Sequence, residues 1–143
     1  MTTRSSNYKT FKTLPSKEKN KPQDETVNLR PCLEIQDLRH KNNIIRDNRI
    51  VCIKFHADWC QPCKVISPKY NKLAEKFNNT GRACLAQENV DLKISQDYKV
   101  TGIPAFIFYK NGQLIHRSKD KPLDVIGGDL TKVEEILIRL TSS

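Results

Sequence analysis

Ile50-Val51-Cys52-Ile53-Lys54-Phe55 is a mostly apolar, β-branched run, and four residues beyond it stand two cysteines with two positions between them, Cys60-Gln61-Pro62-Cys63. The run predicts a buried strand over 50–56. The stretch from Lys64 to Phe77 predicts a helix carrying Val65, Ile66, Leu73, Ala74 and Phe77 on its apolar side. Cys60 then stands at a helix N-terminus with Cys63 one turn further in. Residues three apart share a helix face, so the two sulfurs can meet. Exposed N–H groups and the helix dipole favour a thiolate at that point. A dithiol so placed can attack a disulfide, form a mixed disulfide and resolve it internally.

The remaining chain alternates short strand and helix signals. A short strand is expected through Cys32-Leu33-Glu34-Ile35. Asp37 caps a helix with Leu38, Ile44 and Ile45 inward, and Asp47-Asn48-Arg49 is a turn. Pro68 falls inside the long helix and predicts a kink, and Asn78-Asn79-Thr80-Gly81 ends it. A strand follows around Ala83–Ala86, then a short helix over 91–98 holding Leu92, Ile94 and Tyr98. Ala105–Tyr109 is a second apolar strand, joined through Asn111-Gly112 to 113–116 as a hairpin. Residues 116–124 are polar, contain Pro122 and read as a loop. Gly127-Gly128 precedes a last helix with Leu130, Val133, Ile136, Leu137 and Leu140 on one side, capped near Asp129 or Gly128. The order describes an α/β layer fold with a mixed sheet and helices on both faces.

Hydrophobic residues make up 37% of the 143, low for a globular chain. The shortfall concentrates in residues 1–28, expected to be a disordered basic extension preceding a domain over 29–143. The formal net charge of +9 is spread along the chain with no nucleic-acid motif, and reads as a solvated basic surface. No apolar run reaches the roughly 20 residues that span a bilayer, and no signal-type stretch opens the chain. Five cysteines with a single C-x-x-C do not resemble a secreted disulfide framework and fit a reducing compartment. A cytoplasmic setting is therefore expected. Organelle transit of the Arg/Lys/Ser/Thr-rich start is a weaker alternative. Cys32, Cys52 and Cys84 read as structural thiols, and the pair lacks the further ligands zinc requires, so no metal is expected.

Taken in order, Phe55-His56-Ala57-Asp58-Trp59, Cys60-Gln61-Pro62-Cys63-Lys64, Pro68, Asn89-Val90-Asp91, Gly102-Ile103-Pro104, Lys110-Asn111-Gly112 and Gly127 resemble the thioredoxin family over roughly residues 30–141. The resemblance implies a thioredoxin fold, with a central mixed β-sheet flanked by helices on both faces. It implies a protein-disulfide reductase with a place in electron transport and cell redox homeostasis. Cys60 would be the exposed attacking thiolate and Cys63 the less exposed resolving thiol. Pro104 would be cis and packed against the dithiol. Ile103 would offer main-chain groups to an extended client segment, and Trp59 would flank the mouth. The partners implied are client proteins bearing disulfides and a thioredoxin reductase as electron donor, with no bound cofactor. A monomer is the default.

Two departures from the family stand in the sheet. Lys54 occupies the place of a buried Asp six residues before the first cysteine, and Gln87 the place of the Lys that faces it. A charged Lys54 near the sulfurs would stabilise the thiolate and make the disulfide more oxidising; a lysine reaching the surface would do nothing. Gln61 stands where a glycine is common, beside Pro62, and both join Lys54 and Trp59 as residues tuning the potential. His56 replaces a frequent aromatic and reads as ordinary packing. Two alternatives stay open: a binding or adaptor module with little redox activity, and a more oxidising exchange protein.

Overall fold

The computed structural model describes residues 32–142; the expected 1–28 extension and the start of the domain at 29 lie outside them. The elements in chain order are β1 (Leu33–Glu34), α1 (Leu38–Asp47), β2 (Ile50–His56), α2 (Gln61–Thr80), β3 (Cys84–Asn89), β4 (Ala105–Lys110), β5 (Gln113–Leu114), β6 (His116–Ser118), β7 (Lys121–Pro122), β8 (Asp124–Ile126) and α3 (Leu130–Thr141). The main sheet runs β1-β3-β2-β4-β5, with β8 also pairing β4. β1, β3 and β2 are parallel, while β4 is antiparallel to β2 and to β8. This is the mixed sheet that the alternation of elements predicts.

Alternate residues of β2 feed two separate cores. Ile50 and Cys52 pack with Tyr70, Leu73, Phe77 and Phe106 under α2 and α3. Val51, Ile53 and Phe55 pack with Ile44 of α1, Ile94 and Tyr98 on the opposite face. Every position of 50–55 is buried, so the strand is central and covered on both sides. Burying one large apolar side chain contributes about 1.5–3 kcal/mol, which gives β2 no freedom to slip register.

Helix signals are honoured where side chains close the ends. The Asp37 carboxylate accepts from the His40 N–H at 2.8 Å and starts α1, and Asp129 accepts from the Lys132 N–H at 3.1 Å and starts α3. α2 ends at Gly81, whose φ of 72° lies in the left-handed region. Asn111 and Gly112 both have positive φ, as a two-residue hairpin between β4 and β5 requires. α2 runs uninterrupted from Gln61 to Thr80, so Pro68 does not break it.

Several expectations fail. Residues 91–98 form only a 3₁₀ turn over Val90–Leu92, followed by irregular chain. Asn89 caps the turn, and Lys93 in the left-handed region stops it. Leu38, read as inward, and Val65, placed on the apolar side of the long helix, are exposed. The 116–124 loop is a small hairpin of β6 and β7, followed by a strand, β8, that no local sequence signal announces. β8 forms because the first half of β4 has an open edge, and Val125 from β8 closes one end of the core. Gly81→Ala should cost about 1–2 kcal/mol by forcing a Cβ into the left-handed region, read as a lower urea midpoint at unchanged slope.

Candidate functional site

β2 ends at His56, and the chain turns through Ala57-Asp58-Trp59 to deliver Cys60 as the N-cap of α2. Its backbone N–H donates to Ala57 O at 3.1 Å, and its carbonyl accepts from Lys64 N–H at 3.2 Å. Its sulfur accepts from the Cys63 N–H at 3.2 Å. Pro62 sits in the first turn, where its missing N–H leaves no intrahelical bond unmade. Cys60 and Cys63 are joined as a disulfide with their Cα atoms 5.3 Å apart. The exposure expected of Cys60 is absent from the disulfide, where it is 4% exposed against 2% for Cys63. Ala57, Val90 and Ile103 pack around both sulfurs. Gln61 and Pro62 are exposed beside them.

Trp59 is 68% exposed and pinned by its indole N–H to the Asp91 carboxylate at 3.0 Å. The Ile103–Pro104 bond is cis, and Pro104 O accepts from the Gly127 N–H at 2.7 Å. Ile103 lies two residues before the first sheet-paired residue of β4, Ala105. Between Trp59 and Ile103 opens a cavity of about 450 Å³, lined also by Phe55, Val90, Tyr98 and Thr101. Gly128 packs closely on α2: a Cβ there would stand 3.0 Å from Ile66, which would have to give by a few tenths of an ångström.

Lys54 does not reach the surface; it is 0% exposed. Its ammonium donates to Ser67 Oγ at 2.9 Å, and Ser67 Oγ donates to Cys63 O at 2.9 Å. The same nitrogen lies 5.2 Å from the Tyr70 ring centroid. Desolvation lowers its pKa from the ordinary value, opposed by Cys32 and Glu34. Burial pushes the Cys52 thiol up to about 12 and the Cys32 thiol further, so both stay protonated near neutral pH. Gln87 stands beside Lys54 in the sheet register, as the residue count implies, but its amide donates to Glu34 Oε1 at 2.6 Å. The other Glu34 oxygen lies 3.0 Å from His56 Nε2. His56 is thus part of a polar cluster rather than plain packing.

Ser67 and Glu34 escape the sequence reading. Ser67 lies four residues after Cys63 on α2, and that spacing was the available signal. Glu34 becomes relevant only through the β1–β3 register, which no local pattern encodes. Among the described residues no cluster of three or more His, Cys, Asp or Glu could hold a metal, and no helix is long and apolar enough to cross a membrane.

A thioredoxin family model matches residues 31–127. The chain belongs to the thioredoxin family. It is 32% identical over 105 residues to the thioredoxin of Coprinus comatus, covering 72% of this chain and 92% of that one. To the thioredoxin of Neurospora crassa it is 37% identical over 75 residues, 51% of this chain and 59% of the relative, so the match spans little more than half of that protein. The crystal structure of the thioredoxin of Malassezia sympodialis is similar with a TM-score of 0.65 at 27% identity, over 79% of this chain and 96% of that one. On this thioredoxin fold the sulfurs stand at bonding distance, where thiol–disulfide exchange is chemically available.

The lysine carries a stability signature. Its native pKa lies below the unfolded one, so the unfolded chain binds the extra proton between the two values and stability rises with pH through that window. Lys54→Met should therefore raise stability, by at least about 1 kcal/mol below the lowered pKa. The gain should shrink as pH climbs toward the ordinary lysine value. Urea unfolding of both proteins at neutral and alkaline pH measures it; equal differences at both would contradict the assignment.

Proposed function

We propose that this protein is a protein-disulfide reductase of thioredoxin type, working through Cys60 and Cys63. The observation that carries this is the Cys60–Cys63 pair itself: two sulfurs at a helix N-terminus, one of them capping the helix, near a cavity of mixed polar and apolar lining that Trp59 and Ile103 border. In the reduced protein the Cys60 thiolate attacks one sulfur of a client disulfide. A Cys60–client mixed disulfide forms, and the first client sulfur leaves as thiolate and takes a proton. Cys63 loses its proton and attacks Cys60 Sγ, so the Cys60–Cys63 bond forms and the second client thiolate departs. Two electrons have passed to the client, and a thioredoxin reductase is the class of donor that restores the dithiol.

Trp59, Ile103 and Pro104 form the client-facing rim in this reading, with the backbone of Ile103 available to an extended segment. Five cysteines with a single C-x-x-C are what supports a reducing, cytoplasmic setting. The basic surface is treated as solvated, with no specific nucleic acid, and the working unit as a monomer.

Lys54 favours a second reading, a more oxidising exchange protein. An ammonium behind the helix end stabilises the thiolate, and thereby the reduced form. Lys54→Met should shift the Cys60/Cys63 potential more negative by about 30 mV, the equivalent of about 1.4 kcal/mol for two electrons. The shift should fade as pH rises through the lowered lysine pKa. Equilibration in glutathione buffers measures both, and an unmoved potential would remove Lys54 from the tuning set.

Cys60→Ser should abolish insulin reduction with dithiothreitol as donor, while Cys63→Ser should accumulate clients bound through Cys60. A Cys60→Ser protein as fast as the native one would leave the binding-module reading in its place.

A further inference from the structure

A second buried lysine lies on the other face of the sheet, away from Lys54. Lys41 of α1 is 2% exposed and Glu88 of β3 is 1% exposed. Alternation in β3 puts Glu88 on the face of Cys84 and Ala86, which belong to the core beneath α1. A carboxylate there is costly unless it is paired. Lys41 supplies the pairing: its ammonium lies 3.2 Å from Glu88 Oε1, donates to Ser95 Oγ at 2.6 Å, and stands 3.8 Å from Asp97 Oδ1. Ser95 donates in turn to Glu88 Oε2 at 2.8 Å. Asp97 accepts from the Tyr109 hydroxyl at 2.6 Å, and burial raises the Tyr109 pKa, keeping that hydroxyl a donor.

Ser95 and Asp97 belong to the irregular chain between the 3₁₀ turn and β4, residues 93–104, which has no helix or strand of its own. That segment forms one wall of the cavity beside the sulfurs, through Lys93, Ser95, Tyr98 and Val100–Ile103. Backbone bonds tie its two ends, Lys93 N–H to Val90 O at 3.1 Å and Gly127 N–H to Pro104 O at 2.7 Å, and side chains hold the stretch between: the Lys41 cluster at Ser95 and Asp97, the buried Ile94, and the Tyr98 hydroxyl donating to Asp124 at 2.7 Å. Loops of this length without regular structure are usually functional, and they are the parts that open first.

We propose that Lys41 is a positioning residue for client recognition: through Glu88, Ser95 and Asp97 it fixes the 93–104 wall of the cavity, and so sets affinity for protein clients without touching the sulfur chemistry. This rests on the oxidoreductase reading above. Lys41 lies on α1, makes no part of the cavity lining, and acts only through the residues it holds.

The test compares wild type, Lys41→Met and Lys41→Arg by three readouts. Lys41→Met should exchange the backbone amides of residues 93–103 at least about tenfold faster. It should raise KM for insulin at least about fivefold with kcat held within about twofold. The reduced dithiol should react with 5,5′-dithiobis(2-nitrobenzoate) at the wild-type rate within the same margin. Lys41→Arg, which keeps a buried cation and its donors, should recover most of the KM. Lys41→Met leaves Glu88 without its cation; if that variant does not fold, Lys41→Met/Glu88→Met removes both charges together and takes its place. Unchanged amide exchange, an unchanged KM, or a parallel fall of the insulin and small-disulfide rates would each overturn the proposal. A wild type inert toward both disulfides would overturn the oxidoreductase reading, and with it the client half of this inference, while the exchange data would still decide whether Lys41 props the wall.

Discussion

A sulfur caps a helix. Cys60 Sγ accepts the Cys63 N–H, and the rest of the site is arranged around that contact. A helix N-terminus leaves its first N–H groups without intrahelical partners, and the partial positive charge there favours an anion. When the capping atom is a thiol sulfur, closing the helix and stabilising a thiolate are one interaction. Its position follows from β2. Because 50–55 is buried on both faces, its register is set by two cores at once, and the chain emerging after His56 has one place to begin α2. Pro62 and the Cys60 carbonyl bond to Lys64 start the helix promptly. The geometry of the dithiol is therefore inherited from packing well below it.

What was legible in the sequence divides along a physical line. β2, β4, the long helices, the caps at Asp37 and Asp129 and the Asn111-Gly112 turn could all be read, because each is decided by residues within a few positions. β8 could not, since three residues pair only because β4 offers them an edge. The 91–98 helix failed for the converse reason: its apolar spacing is helical, but Ile94 and Tyr98 are drawn into the core from irregular chain whose polar residues are taken by Lys41, Glu88 and Asp124. In the site, Cys60, Cys63, Trp59 and Pro104 stood out as local motifs. Glu34, Lys41 and Glu88 join only through strand register and helix packing, and nothing next to them in the sequence signals it, whereas Ser67 had its four-residue spacing from Cys63.

In the disulfide both sulfurs are covered by Ala57, Val90 and Ile103, and Trp59 stands out into solvent, held at its indole N–H by Asp91. In the proposed reading, what a client of the oxidised protein meets is the rim and not the sulfurs. Such an arrangement suits an exchange partner whose oxidised form should let go of its product.

The two buried lysines show why burial alone does not assign a role. Lys41 is surrounded by acceptors, with two carboxylates and a hydroxyl within reach. A cation so satisfied serves as a strut, and its removal is costly chiefly because it strands Glu88. Lys54 has one hydroxyl and the face of Tyr70, and among the described residues no carboxylate within ion-pair distance. Its charge is under-compensated, so a modest change nearby can tip its protonation. In the proposed reading reduction of the sulfur pair supplies such a change, with Ser67 joining the lysine to the Cys63 carbonyl on the same helix. Partner count therefore separates the strut from the proposed tuner: the same side chain, equally hidden, is paired with carboxylates on the α1 face and left with one hydroxyl and a ring face on the α2 face.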